Sequence, residues 1–276
     1  MPACESAISS TAPRLRVVDR SAAVLRVFGT NRSRATSVAV CIPARNEAAT
    51  IGAIVSSVAR LRDYGAVEDL VVVDDGSTDA TATTARAAGA RVVSTDGGPG
   101  KGQALQRAVT ETTADILVFL DADVVNFTPR YVTALTSALV ADPGLKLVKG
   151  AYGRPLHGQP GEGGRVTELL ARPLLERFFP ELATVTQPLS GECALTRDLA
   201  ERLRFDDGYG IEIGALIDTY VAYGRSAIAE VDLGLERVHR NRPLRELTVH
   251  ARDVLAAVLS RTGTAVPQMA GLHGAP

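Results

Sequence analysis
A chain of 276 residues, 46% hydrophobic and with a formal net charge of −1, can bury a substantial core and lacks the basic excess of a polybasic nucleic-acid binder. Its three cysteines, Cys4, Cys41 and Cys193, are odd in number and have no metal-ligand spacing, which argues against a disulfide framework and for a reducing cytoplasm. No apolar run approaches the ~20 residues of a membrane span, and the first residues have neither a basic start nor an apolar core, so a soluble protein without membrane or nucleic-acid partners is expected.

In chain order, strand-like runs alternate with helical patterns. Val38 to Pro43 reads as a strand, Glu47 to Arg62 as a helix with Ile51, Ile54, Val55, Val58 and Leu61 on one face, and Leu70 to Val73 as a second strand. This is the βαβ pattern of a parallel sheet. A helix over Thr78 to Ala88, a short strand at Arg91 to Ser94, a helix over Gly102 to Thr112 and a central strand at Ile116 to Leu120 continue it. A helix near Tyr131 to Ala141 and a strand at Leu145 to Val148 follow, then a Gly/Pro-rich loop over Gly153 to Gly164. Beyond it the pattern is less regular: a helix around Val166 to Phe178, a turn-rich Thr186 to Cys193, a helix over Gly214 to Tyr223, a strand at Ala227 to Leu233 and an amphipathic helix over Leu244 to Ser260. The expected architecture is α/β, a Rossmann-like mainly parallel sheet flanked by helices. Residues 37–150 form the nucleotide-binding half and 151–262 a second half, with weakly patterned extensions at 1–36 and 263–276.

The chemistry gathers where strands end. After the central strand stand Asp121 and Asp123, two carboxylates separated by Ala122. On a strand they would share a face, and their mutual repulsion calls for a cation, with oxygen donors suited to Mg²⁺ or Mn²⁺ carrying a phosphate. A polar strand end is the commoner meaning of the tripeptide by itself. Pro43-Ala44-Arg45-Asn46-Glu47 follows the first strand and opens a helix, where free backbone N–H groups would favour an anionic or polar ligand. Asp74 and Asp75, with Ser77, Thr78 and Asp79, follow the second strand. They either accept from a nucleoside or form an Asx turn, with Ser77 or Thr78 capping the next helix. The glycine-rich run Gly97 to Gly102 carries Lys101 and suits a diphosphate, although its spacing is not that of a Walker loop. His239, just past the last strand, could complete a metal site and would tilt it toward Mn²⁺, while His157, His250 and His273 have no such pattern.

Pro-Ala-Arg-Asn-Glu, Asp-Asp-Gly-Ser-Thr-Asp and Asp-Ala-Asp, in this order on successive strands, resemble the GT-A nucleotide-sugar glycosyltransferases. Pro-Gly-Lys-Gly (99 to 102), Gly-Gly-Arg-Val-Thr-Glu-Leu-Leu-Ala-Arg-Pro-Leu-Leu (163 to 175), Gln-Pro-Leu-Ser-Gly-Glu (187 to 192), Gly-Tyr-Gly-Ile-Glu-Ile-Gly (208 to 214) and His-Arg-Asn-Arg-Pro-Leu (239 to 244) narrow the likeness to the retaining glucosyl-3-phosphoglycerate synthases, over residues 38 to 262. The resemblance implies transfer of glucose from UDP-glucose to the 2-hydroxyl of 3-phosphoglycerate, Mg²⁺ or Mn²⁺ as cofactor, and a homodimer. It implies uridine and ribose contacts from Pro43, Ala44, Arg45 and Glu47, with Asp75 at the uracil edge and Lys101 near the diphosphate. Asp121, Ala122 and Leu189 would face the donor, Asp123 and His239 the metal, and Gly164, Arg165, Thr167 and Asn241 the acceptor. Lys101, Asp121 and Glu212 become the catalytic candidates, Glu212 either as nucleophile or as positioner of a front-face displacement. An inverting transferase with a carboxylate base and a non-catalytic nucleotide-sugar binder stand as the alternatives.

Overall fold
The computed structural model describes residues 36–95, 100–154, 164–206, 208–234 and 244–263. Each expected element of the first half is present. Strands β1 (Val38–Ala44), β2 (Asp69–Asp74), β3 (Arg91–Ser94) and β4 (Ile116–Phe119) alternate with helices α1 (Ile51–Asp63), α2 (Thr81–Ala87) and α3 (Lys101–Glu111). Then come α4 (Arg130–Ala141), β5 (Leu147–Ala151), a π-helical turn (Thr167–Ala171) running into α5 (Arg172–Phe178), β6 (Cys193–Thr196), α6 (Arg197–Ala200), α7 (Ile211–Tyr223), β7 (Ile228–Asp232) and α8 (Leu244–Leu259).

The strands form one seven-stranded sheet in the order β3-β2-β1-β4-β6-β5-β7. All pairings are parallel except those of β6, which runs antiparallel to both β4 and β5. Alternate residues of β1 serve opposite faces, as the two-residue period of a strand requires. Val38, Val40 and Ile42 pack with α1 and α4 residues such as Ile54, Val58 and Leu135. Ala39 and Cys41 pack with α3, α7 and α8 through Leu105, Ile217 and Val254. Burying each such aliphatic side chain stabilises the fold by about 1.5–3 kcal/mol, so the sheet is fixed from both faces. No helix among the described residues is long and apolar enough to cross a membrane.

Three expectations need correction. Helix α1 starts at Ile51 rather than Glu47, because residues 47–50 turn back to bond the next loop. The segment read as turn-rich up to Cys193 ends in β6, a four-residue strand too short to show a period. Helix α7 begins at Ile211, so Glu212 lies in its first turn rather than ahead of it.

Candidate functional site
At the carboxyl ends of β1 and β2 the two loops are knitted together. Asn46 adopts φ 56°. Its amide donates to the Ser77 hydroxyl at 3.0 Å, and its side-chain oxygen accepts from the Thr78 amide at 2.8 Å. The Glu47 amide donates to Thr81 Oγ1 at 2.8 Å and the Ala48 amide to Asp79 at 3.2 Å. The amides of Asn46, Glu47 and Ala48, expected to be free after β1, are therefore already satisfied by the next loop. The Asx turn is realised too: Asp74 accepts from the Ser77 amide at 3.2 Å, while Asp79, not Ser77 or Thr78, takes the Thr81 amide at the start of α2. Asp75 is buried, and both its oxygens accept the Gly100 amide at 2.9 Å, which ties the end of β2 to the entry of α3.

That entry carries Lys101, whose ammonium donates to Asp121 at 2.6 Å and also pairs with Glu212. Three elements thus bring together the three catalytic candidates: α3 supplies the lysine, the end of β4 one carboxylate and the first turn of α7 the other. Burial pushes the lysine's proton affinity down, but the adjacent carboxylates of Asp121 and Glu212 outweigh it and hold the ammonium well above its ordinary value. A group whose pKa rises on folding contributes stability that is complete below its unfolded value, 10.5, and is lost only as pH climbs through the higher folded value. Lys101→Met is accordingly expected to cost about 3 kcal/mol by stranding two carboxylates. In chemical denaturation this deficit should be constant from about pH 6 to about pH 10 and shrink only above the lysine range. A deficit that fades near neutral pH would contradict this arrangement.

Strand β4 ends at Phe119, so Asp121-Ala122-Asp123 opens a turn instead of sharing a strand face. The strand-face geometry expected for the pair is therefore not what positions it, and the charge of Asp121 is met by Lys101. Asp123 remains a hard oxygen donor, and its chemistry fits Mg²⁺ or Mn²⁺. Among the described residues no three His, Cys, Asp or Glu side chains converge as a metal site. The other expected ligand, His239, lies outside the described residues, as do Asn241, His157, His273 and Gly97 to Pro99.

Antiparallel pairing of β4 with β6 sets Phe119 opposite Cys193, and carrying that register outward sets Asp121 opposite Gly191. The fit is close: a Cβ built on Gly191 would lie 2.2 Å from Asp121 Oδ1. The segment around it, including the half-buried Leu189, is braced from several sides. Glu230 on β7 accepts the amides of Thr186 at 2.8 Å and Gln187 at 3.2 Å. Lys149 on β5, fully buried, donates to the Ser190 carbonyl at 3.0 Å, and burial lowers its pKa. Ser190 Oγ and the Tyr152 hydroxyl both donate to buried Glu192, at 3.2 and 2.8 Å. Lys149, Tyr152 and Glu230 carry no motif in the sequence, and Gly191 and Glu192 lie in the 187 to 192 motif without a role assigned to them there. A buried lysine in a strand and a glutamate among apolar neighbours were the available signals.

On the other side, Gly164 takes φ 78° and begins a helical run that passes into the π-helical turn Thr167–Ala171. Thr167 is 1% exposed, and its hydroxyl is a buried group without a hydrogen-bond partner. π turns are frequent at functional sites, and an unsatisfied buried hydroxyl beside one calls for a partner. Glu168, the neighbour that could have neutralised Arg165, is held instead by Arg172 through two bonds of 2.9 and 3.0 Å. His250 has a partner after all, the Tyr209 ring, with centroids 3.5 Å apart.

Residues 39–148 match the family described as Glycosyl transferase family 2. The glucosyl-3-phosphoglycerate synthase of Mycobacterium tuberculosis is 48% identical over 241 residues, covering 82% of this chain and 74% of its own. That of Petrotoga mobilis is 41% identical over 237 residues, covering 81% and 73%. A crystal structure of the M. tuberculosis enzyme in complex with Mn²⁺, uridine-diphosphate-glucose and phosphoglyceric acid superposes with a TM-score of 0.78 at 47% identity, over 84% of this chain and 81% of that one.

Proposed function
The chain belongs to the glucosyl-3-phosphoglycerate synthase family, and we propose that it transfers glucose from UDP-glucose to the 2-hydroxyl of 3-phosphoglycerate with Mg²⁺ or Mn²⁺ as cofactor. The observation that carries this reading is the convergence of Lys101, Asp121 and Glu212 beside the segment at Leu189–Gly191. In it the first half of the chain, with Pro43, Ala44, Arg45, Glu47 and Asp75, holds the nucleotide, and the second half, with Gly164, Arg165 and Thr167, holds the acceptor.

A bound divalent ion, held by Asp123 and His239, would supply charge neutralisation at the diphosphate. The chain's own residues do the rest. Asp121 orients the sugar hydroxyls from a position fixed by Lys101 and Gly191, and the Lys101 ammonium stabilises negative charge that develops on the leaving diphosphate. Glu212, ion-paired to Lys101, is a positioner rather than a free nucleophile. This favours a retaining front-face displacement, in which the leaving diphosphate takes the proton of the acceptor hydroxyl. Buried, unpaired Cys41 and Cys193, with thiols pushed up to about 12 and about 11 by burial, suit a reducing cytoplasm. The homodimer that the resemblance implies is tested directly by light scattering.

Incubation with UDP-glucose, Mn²⁺ and either 3-phosphoglycerate or free glycerates should yield an α-linked glucosyl product on the phosphorylated acceptor. A β-linked product would replace the retaining mechanism with an inverting one, and no product would leave only a binder. Arg165→Ala is expected to raise the acceptor KM by at least ~10-fold, since a charge-assisted pair contributes about 1.5–3 kcal/mol, with UDP-glucose affinity nearly unchanged. Loss of donor binding with a normal acceptor KM would misplace the acceptor.

A further inference from the structure
3-Phosphoglycerate carries two anionic groups, a phosphate at one end and a carboxylate on the carbon next to the reacting 2-hydroxyl. The helix start at Gly164 suits the phosphate, through its N-terminal dipole and the buried Thr167 hydroxyl. That leaves the carboxylate, which must lie on the donor side because its neighbouring hydroxyl has to reach the sugar at Asp121.

Arg154, which no motif singled out, links that helix start to the segment that meets Asp121. A Cβ built on Gly164 would lie 3.6 Å from Arg154 Cδ and 3.9 Å from Thr167 Oγ1, so the arginine and the threonine flank one glycine. Arg154 has no carboxylate partner among the described residues, and its Nε is buried without a hydrogen-bond acceptor. Such a group is costly to leave unmatched unless a ligand supplies the acceptor. Its orientation is nonetheless fixed. One terminal nitrogen donates to the Tyr152 hydroxyl at 3.0 Å, and the guanidinium lies 5.3 Å from the centroid of that ring. The Tyr152 hydroxyl in turn donates to Glu192, which also accepts from Ser190, the residue before Gly191. Arg154 is therefore tied through Tyr152 and Glu192 to the segment that meets Asp121.

We propose that Arg154 binds the carboxylate of the acceptor, presented by Tyr152 toward the donor sugar, while the helix start at Gly164 and Thr167 holds the phosphate. The proposal rests on the reading of that helix start as the acceptor site. A planar fork of donors matches a carboxylate in two-point geometry, which a lysine would not reproduce.

The test is calorimetric titration of the UDP- and Mn²⁺-loaded protein with 3-phosphoglycerate and with glycerol 3-phosphate, which lacks the carboxylate. In Arg154→Gln, the Kd for 3-phosphoglycerate should rise about 10- to 100-fold, that for glycerol 3-phosphate should stay within about 2-fold, and UDP affinity should be unchanged. Arg154→Lys should show a smaller loss confined to 3-phosphoglycerate, and it decides the question if Arg154→Gln fails to fold by circular dichroism. Equal weakening of both acceptors, or of neither, overturns the assignment. Failure of the wild-type protein to bind 3-phosphoglycerate would instead overturn the acceptor reading itself.

Discussion
Replacing Asp123 with alanine is expected to lower turnover about 10³-fold or more, because losing one of the few ligands proposed for the divalent ion removes several kcal/mol of transition-state stabilisation. Asp121 holds a different place, its carboxylate engaged by Lys101 at 2.6 Å. A readout independent of turnover is available. Titration of the protein with Mn²⁺ and UDP, followed by the electron paramagnetic resonance of the free ion, should show the variant binding at least ~10-fold more weakly. The circular dichroism spectrum should not change, as Asp123 lies in a turn outside the sheet. Full activity of the native protein in excess EDTA would refute the metal requirement, and normal Mn²⁺ binding by the variant would refute the choice of Asp123.

Gly191→Ala tests the geometry around Asp121. The added methyl would stand 2.2 to 2.6 Å from all three atoms of the Asp121 carboxyl group, closer than any van der Waals contact permits. The segment cannot retreat easily, since Lys149 grips Ser190, Glu230 grips Thr186 and Gln187, and the Glu192 carbonyl accepts the Gly150 amide at 2.8 Å. Asp121 must then move, and Lys101 with it. A displacement of about 1 Å at a positioning group lowers turnover on the order of 100-fold. The expected signature is a fall in kcat for UDP-glucose with UDP affinity kept within about 3-fold, because the residues proposed to hold the nucleoside, Pro43, Ala44, Arg45, Glu47 and Asp75, stand on the β1 and β2 loops rather than on the segment at Gly191. A kcat within about 2-fold of the native value would mean that Asp121 tolerates displacement and does not orient the sugar.

The first half of the fold could be read from the chain because its determinants are local. In β1, β2 and β4 nearly every residue is buried, so each appears as a short apolar run, and α1 repeats its apolar face through Ile51, Ile54, Val55 and Val58. The motif residues were visible for a related reason, since carboxylates, glycines and a rare lysine at strand ends have no packing explanation. Strand β6 was missed because Cys193–Thr196 is too short to display a period. Its place between β4 and β5 is set by pairing with residues more than 40 positions away.

The sequence by itself determined the α/β class, the order of most elements and the motif residues at strand ends. Tertiary structure alone decided that Lys101 is shared between Asp121 and Glu212, and that Gly191 faces Asp121. It also decided that the amides after β1 are occupied and that Arg154 lies beside Gly164 and Thr167. Each of these is a contact between elements far apart in the chain, fixed by strand register and helix packing, and neither of those is encoded in the spacing of any single segment.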